Sequence, residues 1–386
     1  MDLEFGINGG FGVEAARPIS VDSSTPLAMA VTADTTEIGI KKFNNATDGL
    51  TFVKDNNITA GTLKVALKGI ELQGVNCPIV LHISTHDAIE ATNITNILAG
   101  LTEIKQSSPL TGIDLKNGLV FSPVYSANTQ VAAKIDSISS TLWCPGSPID
   151  NFSDVEAGVV DFLSNFGSKY IYHGTGYYKA DGENIPMSSL IAGHIARCDV
   201  VKPAGGNDPF GWAKNHSNRV VLGVAGTTRN NGKGVEYYDS GDSEAKRLRK
   251  QGCASIVKDV GWRLYGFETR DIDPIWQSLD RVRAFHRMLA AIIKASKWAR
   301  DREADELVWV KKSIVEFNNE MIGAKVGIGF EVFFDPKKNT AATVTAGKFY
   351  LTIKFQDMPS IRELNIELIY SDKWGETLIN YINGGE

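Results

Sequence analysis

Short apolar runs alternate with amphipathic stretches of helical length between residue 27 and about residue 200. Buried strands are predicted for the runs "LAMAVTA" (27–33), "PIVLHIS" (78–84), "GLVFSP" (118–123) and "SKYIYHG" (168–174). Helices are predicted between and after them, at 63–73, 90–104, around 127–138, at 154–167 and at 186–199. Strands separated by helices favour a largely parallel sheet with right-handed crossovers. This part of the chain is therefore predicted to be an α/β domain.

The pattern changes after residue 200. Residues 202–234 are rich in Gly, Asn and Pro and predict a long connection. Two long helices are predicted next, at 275–303 and 306–322, and then β-structure at 328–335, 348–357 and 363–370. We expect a multi-domain fold: a mixed α/β sheet domain with helices, a C-terminal α+β domain, and extended N- and C-terminal arms.

Composition excludes several classes of function. The 386 residues carry a net charge of −5, so the whole chain offers no electrostatic basis for binding nucleic acid. No run of about 18 apolar residues predicts membrane insertion. The stretch "MDLEFGINGG" lacks the basic and apolar regions of a secretory signal. The four cysteines, Cys77, Cys144, Cys198 and Cys253, are isolated and predict buried, reduced thiols.

No motif in the chain predicts catalysis, a metal or a cofactor. The stretch "GTTRNNGKG" (226–234) is one residue too long for a phosphate loop, and no Ser or Thr follows Lys233. His82 and His86 have the spacing of a zinc site on a helix, but they lie in a predicted strand. No GxSxG elbow is present. An enzyme assembled from distant residues, such as a cytosolic hydrolase or transferase with a β-rich accessory domain, stays open as the alternative.

Both ends of the chain carry apolar residues that need a partner, either within the subunit or outside it. The residues are Phe11, Val13, Ile19 and Val21 near the start, and Trp374, Leu378, Ile379, Tyr381 and Ile382 near the end. Extended segments with alternating apolar side chains can add a strand to the edge of another sheet. An enzyme would instead pack residues 374–382 into its own fold.

Four stretches in order resemble the contractile tail sheath proteins of phages and R-type pyocins. The most distinctive is "DVGWRLYGFETR" (259–270), with Gly261, Trp262, Arg263, Tyr265 and Gly266. The other three stretches are residues 12–33, 192–229 and 328–370. One departure is that Asn215, His216 and Ser217 stand where the family commonly has a serine–proline pair before an asparagine.

The resemblance implies a structural subunit without catalytic residues or cofactors. It implies a homo-oligomer of helically stacked hexameric rings around an inner tail tube protein, with baseplate and tail terminator proteins as further partners. Such a sheath belongs to a virion tail or bacteriocin-like particle assembled in the bacterial cytoplasm, and it contracts without nucleotide hydrolysis. The implied division is an N-terminal linking arm (1–26), an α/β outer domain (27–200, most variable at 34–150), an inner α+β core domain (201–370) and a C-terminal linking arm (371–386).

A basic stripe is predicted on a helix spanning 279–302. At 3.6 residues per turn its cationic side chains fall on one side, opposite Phe285, Leu289, Ile292 and Ile293; they are Arg283, Arg287, Lys294 and Lys297. Facing an acidic tube, this stripe would form a breakable, salt-sensitive contact. A solvated helix face is the simpler alternative, and "KRLRK" (246–250) is a rival surface. The glycine–aromatic element at 261–268 is predicted to fix the turn that leads into this helix.

Overall fold

A computed structural model describes residues 17–384 of the chain. Its strands are β1 (Leu27–Ala33), β2 (Gly39–Phe43), β3 (Ile79–Thr85), β4 (Leu119–Phe121), β5 (Ser147–Asn151), β6 (Ile171–Thr175), β7 (Tyr177–Ala180), β8 (Glu183–Pro186), β9 (Gly226–Thr228), β10 (Cys253–Asp259), β11 (Gly261–Tyr265), β12 (Gly327–Phe334) and β13 (Leu351–Asp357). Its α-helices are α1 (Ala46–Asp55), α2 (Leu63–Glu71), α3 (Glu90–Ile104), α4 (Ser108–Thr111), α5 (Thr129–Leu142), α6 (Glu156–Ser164), α7 (Met187–Val200), α8 (Glu244–Lys250), α9 (Leu279–Ser296), α10 (Leu307–Gly323), α11 (Ala341–Thr345) and α12 (Gly375–Ile382).

The first sheet has the strand order β2-β3-β1-β4. Strand β1 runs parallel to β3 and β4, and β2 is an antiparallel edge strand. Alternate residues of β1 enter different cores: Met29 packs with α2 and α7, whereas Ala30 packs with α3 and α5. Helices therefore cover both faces, as the apolar runs predicted, because a parallel strand buried on both sides carries few polar residues.

The second sheet has the order β11-β10-β6-β5, with β5, β6 and β10 parallel. It lies beside the first sheet, where the Val120 backbone N–H donates to Ser147 Oγ at 2.9 Å. Strand β11 returns antiparallel to β10. Because β10 pairs with β6, this sheet crosses the predicted boundary at residue 200. A smaller antiparallel sheet, β8-β7-β9, adjoins it.

Helices α2 and α7 cross where each carries a glycine. A Cβ atom on Gly193 would lie 2.9 Å from the Ile70 Cα atom, and one on Gly69 would lie 2.5 Å from Ser189 Cβ. Both contacts are shorter than the separation of packed carbon atoms. Glycine is therefore required at this crossing so that the two helices can approach closely.

A separate apolar core lies under the antiparallel hairpin of β12 and β13. It joins α9 and α10 to side chains from elsewhere in the chain, including Trp212, Ile19 and, from the hairpin, Val332 and Phe355. The two predicted long helices are confirmed, although α9 begins at Leu279 because Pro274 opens a short 3₁₀ turn before it. This core carries the segments that the next section describes.

The C-terminal end differs from prediction in two ways. Residues 363–370 were predicted to be a strand but have no strand partner within residues 17–384. Residues 374–382 were predicted to be extended, whereas Gly375–Ile382 form α12. The apolar residues here recur every three to four positions, which a helix places on one side.

Candidate functional site

The chain leaves its body immediately after β13. Arg281 Nε donates to both carboxylate oxygens of Asp357, at 2.9 and 3.0 Å, and fixes the end of that strand. Ser360 Oγ then donates to Asp280 Oδ2 at 2.9 Å. After Ser360, every residue from 361 to 384 is exposed. We call residues 361–384 the C-terminal arm.

The C-terminal arm exposes far more apolar surface than a monomer normally leaves in water. Its large apolar side chains are Ile361, Leu364, Ile366, Leu368, Ile369, Tyr370, Trp374, Leu378, Ile379, Tyr381 and Ile382, and Leu368 is 97% exposed. In an extended chain Leu364, Ile366 and Leu368 would fall on one face. The backbone donors of this stretch have no strand partner in the described part of the chain. Such a segment is suited to add a strand to another sheet.

The hairpin of β12 and β13 offers the edges that such a strand needs. It is a two-stranded sheet, so each strand has an outer edge that no strand of residues 17–384 covers. Its register is interrupted by an irregularity between Gly327 and Gly329. Glu331 and Lys354 face each other across the strands at 2.9 Å. Isolated two-stranded sheets are marginal in water, so additional strands would stabilise this one.

The N-terminal residues that the structure describes pack on their own subunit. Ile19 is 6% exposed and lies in the core with Trp212 and α9, and Val21 packs against the same core. The Arg17 guanidinium lies over the Trp298 ring, 3.9 Å from its centroid. The prediction that Ile19 reaches a neighbour is therefore wrong in this structure, whereas Val21 is only partly buried and its contact with a neighbour stays a prediction. Phe11 and Val13, the other two residues of that prediction, lie outside the described residues.

A buried ionic cluster joins four parts of the chain. Asp199, at the end of α7, accepts two hydrogen bonds from Arg283, at 2.7 and 2.6 Å, and one from Arg287 at 3.0 Å. His216 Nε2 lies 2.9 Å from the same carboxylate, and the Thr25 hydroxyl donates to it. All five side chains are almost completely buried. We call these five residues the Asp199 cluster.

Charge pairing in the Asp199 cluster determines the protonation of its members. Burial by itself would raise the pKa of Asp199, but Arg283 and Arg287 hold it well below its ordinary range. Burial lowers the pKa of Arg287 to about 10. Burial also lowers the pKa of His216, although the Asp199 carboxylate opposes this shift. With His216 neutral, the cluster carries two positive charges and one negative charge.

The Asp199 cluster corrects the predicted basic stripe. Arg283 and Arg287 are each 1% exposed, because the side of α9 that carries them faces the α/β body and its buried carboxylate. The predicted contact of Arg283 and Arg287 with an inner tube is therefore wrong. Lys294 and Lys297 are exposed, and their contact with a tube stays a prediction. The rival basic surface on α8 is paired: Arg247 with Glu156 and Asp242, and Arg249 with Glu268.

The glycine–aromatic element forms the hairpin of β10 and β11. Gly261 follows the tip of the hairpin with φ of +86°, a conformation that favours glycine. Gly266 ends the strand: its N–H donates to Ser217 Oγ at 3.0 Å, and its carbonyl accepts from the Tyr172 hydroxyl at 2.6 Å. Tyr265 packs under the Arg249 guanidinium. Trp262 packs against the apolar core that Met29 forms with α2 and α7. Arg263 Nη1 donates to the Asn218 carbonyl at 2.7 Å.

Other motifs considered in the sequence lie in ordinary structure. Residues 226–234 form β9 and a turn in which Arg229 N–H donates to the Lys233 carbonyl at 2.9 Å. His82 contacts Glu103 at 3.1 Å, and His86 contacts Thr32 at 3.4 Å. From residue 17 to residue 384, no group of three or more His, Cys, Asp or Glu side chains is arranged to hold a metal ion. No helix of that same range is long and apolar enough to cross a bilayer.

Sequence reasoning did not identify Asp199, His216 and Thr25 as partners of the arginines. One signal was available. Asp199 ends the stretch "LIAGHIARCD" of α7, and every uncharged residue of that stretch is buried, on all sides of the helix. A carboxylate in such a helix requires a cationic partner. The sequence does not reveal which of its many arginines supplies that partner.

Curated relatives in sequence are tail sheath proteins. A prophage major tail sheath protein of Pseudomonas aeruginosa strain UCBPP-PA14 is 29% identical over 266 residues, which cover 66% of this chain and 65% of that protein. The tail sheath protein of Burkholderia phage BcepMu is 23% identical over 320 residues, covering 77% and 64%. The chain thus spans just under two thirds of the length of these two relatives. No model of a known protein family matches it.

Solved structures with a similar fold come from contractile particles. A chain of the PVC sheath complex of an extracellular contractile injection system, in its contracted state, matches with a TM-score of 0.68 and 15% identity, over 96% of this chain and 99% of that chain. A chain of the anti-feeding prophage baseplate matches with a TM-score of 0.66 and 16% identity, over 95% and 99%. At these identities the likeness shows the fold, and the predicted α/β class is confirmed.

Proposed function

Because this chain belongs to the contractile tail sheath family, we propose that it is a structural subunit that polymerises into a contractile sheath. In this proposal, copies of the chain form hexameric rings stacked helically around an inner tube, between a baseplate and a terminator. The particle is a phage tail or a bacteriocin-like device built in the bacterial cytoplasm. The chain is a structural protein and not an enzyme, as the names of its relatives indicate.

The C-terminal arm is the observation that carries this proposal. Eleven large apolar side chains stand exposed over residues 361–384, and the hairpin before them has two outer edges that no strand of the described residues covers. We infer that Leu364–Tyr370 of one copy add a strand to β12 or β13 of another. Each copy would both donate and receive, and a heterologous contact that does not close on itself produces helical growth. The N-terminal arm, in this proposal, consists of residues 1–16.

The Asp199 cluster supports a rigid-body role for the rest of the subunit. It connects the chain before β1, the end of α7 and the middle of α9, so the α/β body and the helical core are joined by buried charge. We propose that this junction keeps the subunit intact while contraction rotates one copy relative to the next. The energy would come from the change of packing between copies, without a bound nucleotide.

Proline substitution in the arm tests the strand proposal. Ile366→Pro removes one backbone donor in the middle of Leu364–Tyr370, whereas Ile366→Val keeps the donor and the β-branched side chain. Both variants should unfold at the parent temperature, because Ile366 is 82% exposed in the isolated subunit. Electron microscopy and sedimentation should show tubes for the parent and Ile366→Val, and monomers for Ile366→Pro or for Glu367→Pro, since successive backbone donors of a strand point to opposite sides and one of these two faces the hairpin. Normal tubes from both proline variants would refute the donated strand.

A further inference from the structure

A groove of about 420 Å³ runs along the second half of α9. Its apolar walls include Val21, Ile113, Trp143, Ala290 and Ile293. Ile293 is 45% exposed, and Leu289, one helical turn earlier, is 47% exposed. The two residues form an apolar ridge beside small residues that permit close approach. We call this surface the α9 groove.

Among the charged side chains of the α9 groove, cations outnumber carboxylates. Lys116, Lys294 and Lys297 line it, together with the guanidinium of Arg287; the acidic residues that line it are Asp22 and Asp114. Arg287 Nε is buried and has no hydrogen-bond partner among the described residues, and the same is true of Asn117 Oδ1. The groove therefore fits an apolar partner that also presents carboxylates.

Helix α12 has these properties. Trp374, Leu378 and Ile382 follow one another at intervals of four residues and form one ridge, and all three are at least 60% exposed. Glu376 lies in the first turn of the helix, where a carboxylate is favourable, and Asp372 lies two residues before its N-cap, Trp374. The ridge spans about 12 Å, which is also the length from Leu289 to Lys297 along α9.

We propose that the α9 groove is the docking site for α12 of a second copy of this chain. The two helices lie antiparallel, with Trp374 and Leu378 against Ile293 and the start of α12 at the end of α9. Asp372 and Glu376 then face Lys294 and Lys297. These two lysines thus bind a neighbouring sheath subunit rather than an inner tube.

The occupant is a second copy because the groove and the receiving hairpin lie on one structural unit. Phe285 of α9 contacts Phe355 of β13, with ring centroids 5.9 Å apart. A neighbour's Leu364–Tyr370 on the hairpin would leave residues 371–373 to reach α9, an extended span of about 10 Å. The inference rests on the proposed function, in which the C-terminal arm crosses between copies.

Disulfide trapping tests the docking directly. The four native cysteines are at most 2% exposed, so introduced surface cysteines should dominate oxidation. The variants Leu378→Cys and Ile293→Cys are mixed, assembled and oxidised, and a non-reducing gel should show a dimer band that neither variant gives alone. The control pairs Leu378→Cys with Ile272→Cys, since residue 272 is 90% exposed and lies outside the groove. Equal dimer yields from the two pairs would overturn the proposal.

Charge exchange provides an independent second measurement. Glu376→Lys should lower the cross-linking yield about threefold to tenfold, and adding Lys294→Glu and Lys297→Glu should restore it. Tubes that form without the specific dimer band overturn the docking site but leave the sheath function intact. The proposal would also be overturned if the double variant Leu378→Cys with Ile293→Cys cross-links only within one chain. A further contradicting result would be that Lys294→Glu and Lys297→Glu keep the cross-link between copies but no longer bind an inner tube. If the parent chain forms no polymer, the proposed function fails first.

Discussion

Removing the charge of Asp199 should destabilise the subunit more than removing either arginine that it pairs with. Asp199→Asn keeps the size of the side chain but leaves two guanidinium groups buried without a counter-charge. Breaking a buried pair in this way costs about 3–5 kcal/mol. Acid should act in the same direction: because the pKa of Asp199 is lowered in the folded state, the stability it contributes is present above about pH 4 and is lost as the pH falls further.

The two arginines should rank according to their bonds to the Asp199 carboxylate. Arg287 also donates to Thr25 and to the Asp22 and Asn117 carbonyls, but these acceptors are neutral. Arg287→Met removes a single 3.0 Å bond to the carboxylate and leaves a neutral pair, Asp199 with Arg283. Arg283→Met removes the bidentate pair, with bonds of 2.7 and 2.6 Å. The loss of unfolding free energy should therefore increase from Arg287→Met to Arg283→Met to Asp199→Asn.

Urea unfolding followed by tryptophan fluorescence measures these differences, provided that the dependence on urea stays equal among variants. Glu331→Gln is the matched control, since its ion pair with Lys354 is also at 2.9 Å but both side chains are more than 60% exposed. It should change the free energy of unfolding by less than about 0.5 kcal/mol. A cost below about 1 kcal/mol for Asp199→Asn, or a larger cost for Arg287→Met, would refute the argument.

Three further predictions concern other parts of the body. Burial, together with Arg270, lowers the pKa of His173 to about 3, so the unfolded chain binds a proton below about pH 6.5 that the folded chain does not; stability should fall by about 2 kcal/mol between pH 7 and pH 5 from this residue. His173→Phe should remove that share of the pH dependence in urea titrations, and an unchanged pH dependence would contradict it. Gly193→Ala should lower the free energy of unfolding by about 1–3 kcal/mol by forcing α2 away from α7; thermal unfolding measures this against Gly323→Ala at the end of α10, where the backbone is helical and a Cβ meets nothing within 4 Å. Trp262→Ala should lower the unfolding temperature and impair tube formation, and unchanged values for both would show that the glycine–aromatic element does not fix the subunit.

Local patterns predicted the α/β body well. Residues 27–33 form β1 and residues 90–104 form α3, as expected, because buried strands and amphipathic helices have their own periodicity. Strand β5, "SPIDN", was not predicted. It contains Pro148 and a buried Asp150, whose carboxylate accepts bonds from Ser188 and Ser126. Because polar partners distant in sequence stabilise this strand, a search for apolar runs does not detect it.

Long-range pairing explains why the candidate site was harder to predict. The helical wheel placed Arg283 and Arg287 on one side of α9, which is correct, but it gave no information about what that side faces. Their partner Asp199 lies 84 and 88 residues away in sequence. In the C-terminal arm the alternation of residues 364–370 predicted a strand, but these residues pair with no strand of residues 17–384. An apolar alternation does not show whether the partner of a strand lies in the same subunit.

A density map of the assembled polymer, at a resolution that traces the backbone, tests the central claim most directly. We predict that Leu364–Tyr370 of each copy lie beside β12 or β13 of a neighbouring copy, with backbone N–H to carbonyl distances near 2.9 Å. A map in which this segment pairs with the hairpin of its own subunit, or touches no hairpin at all, would contradict the account.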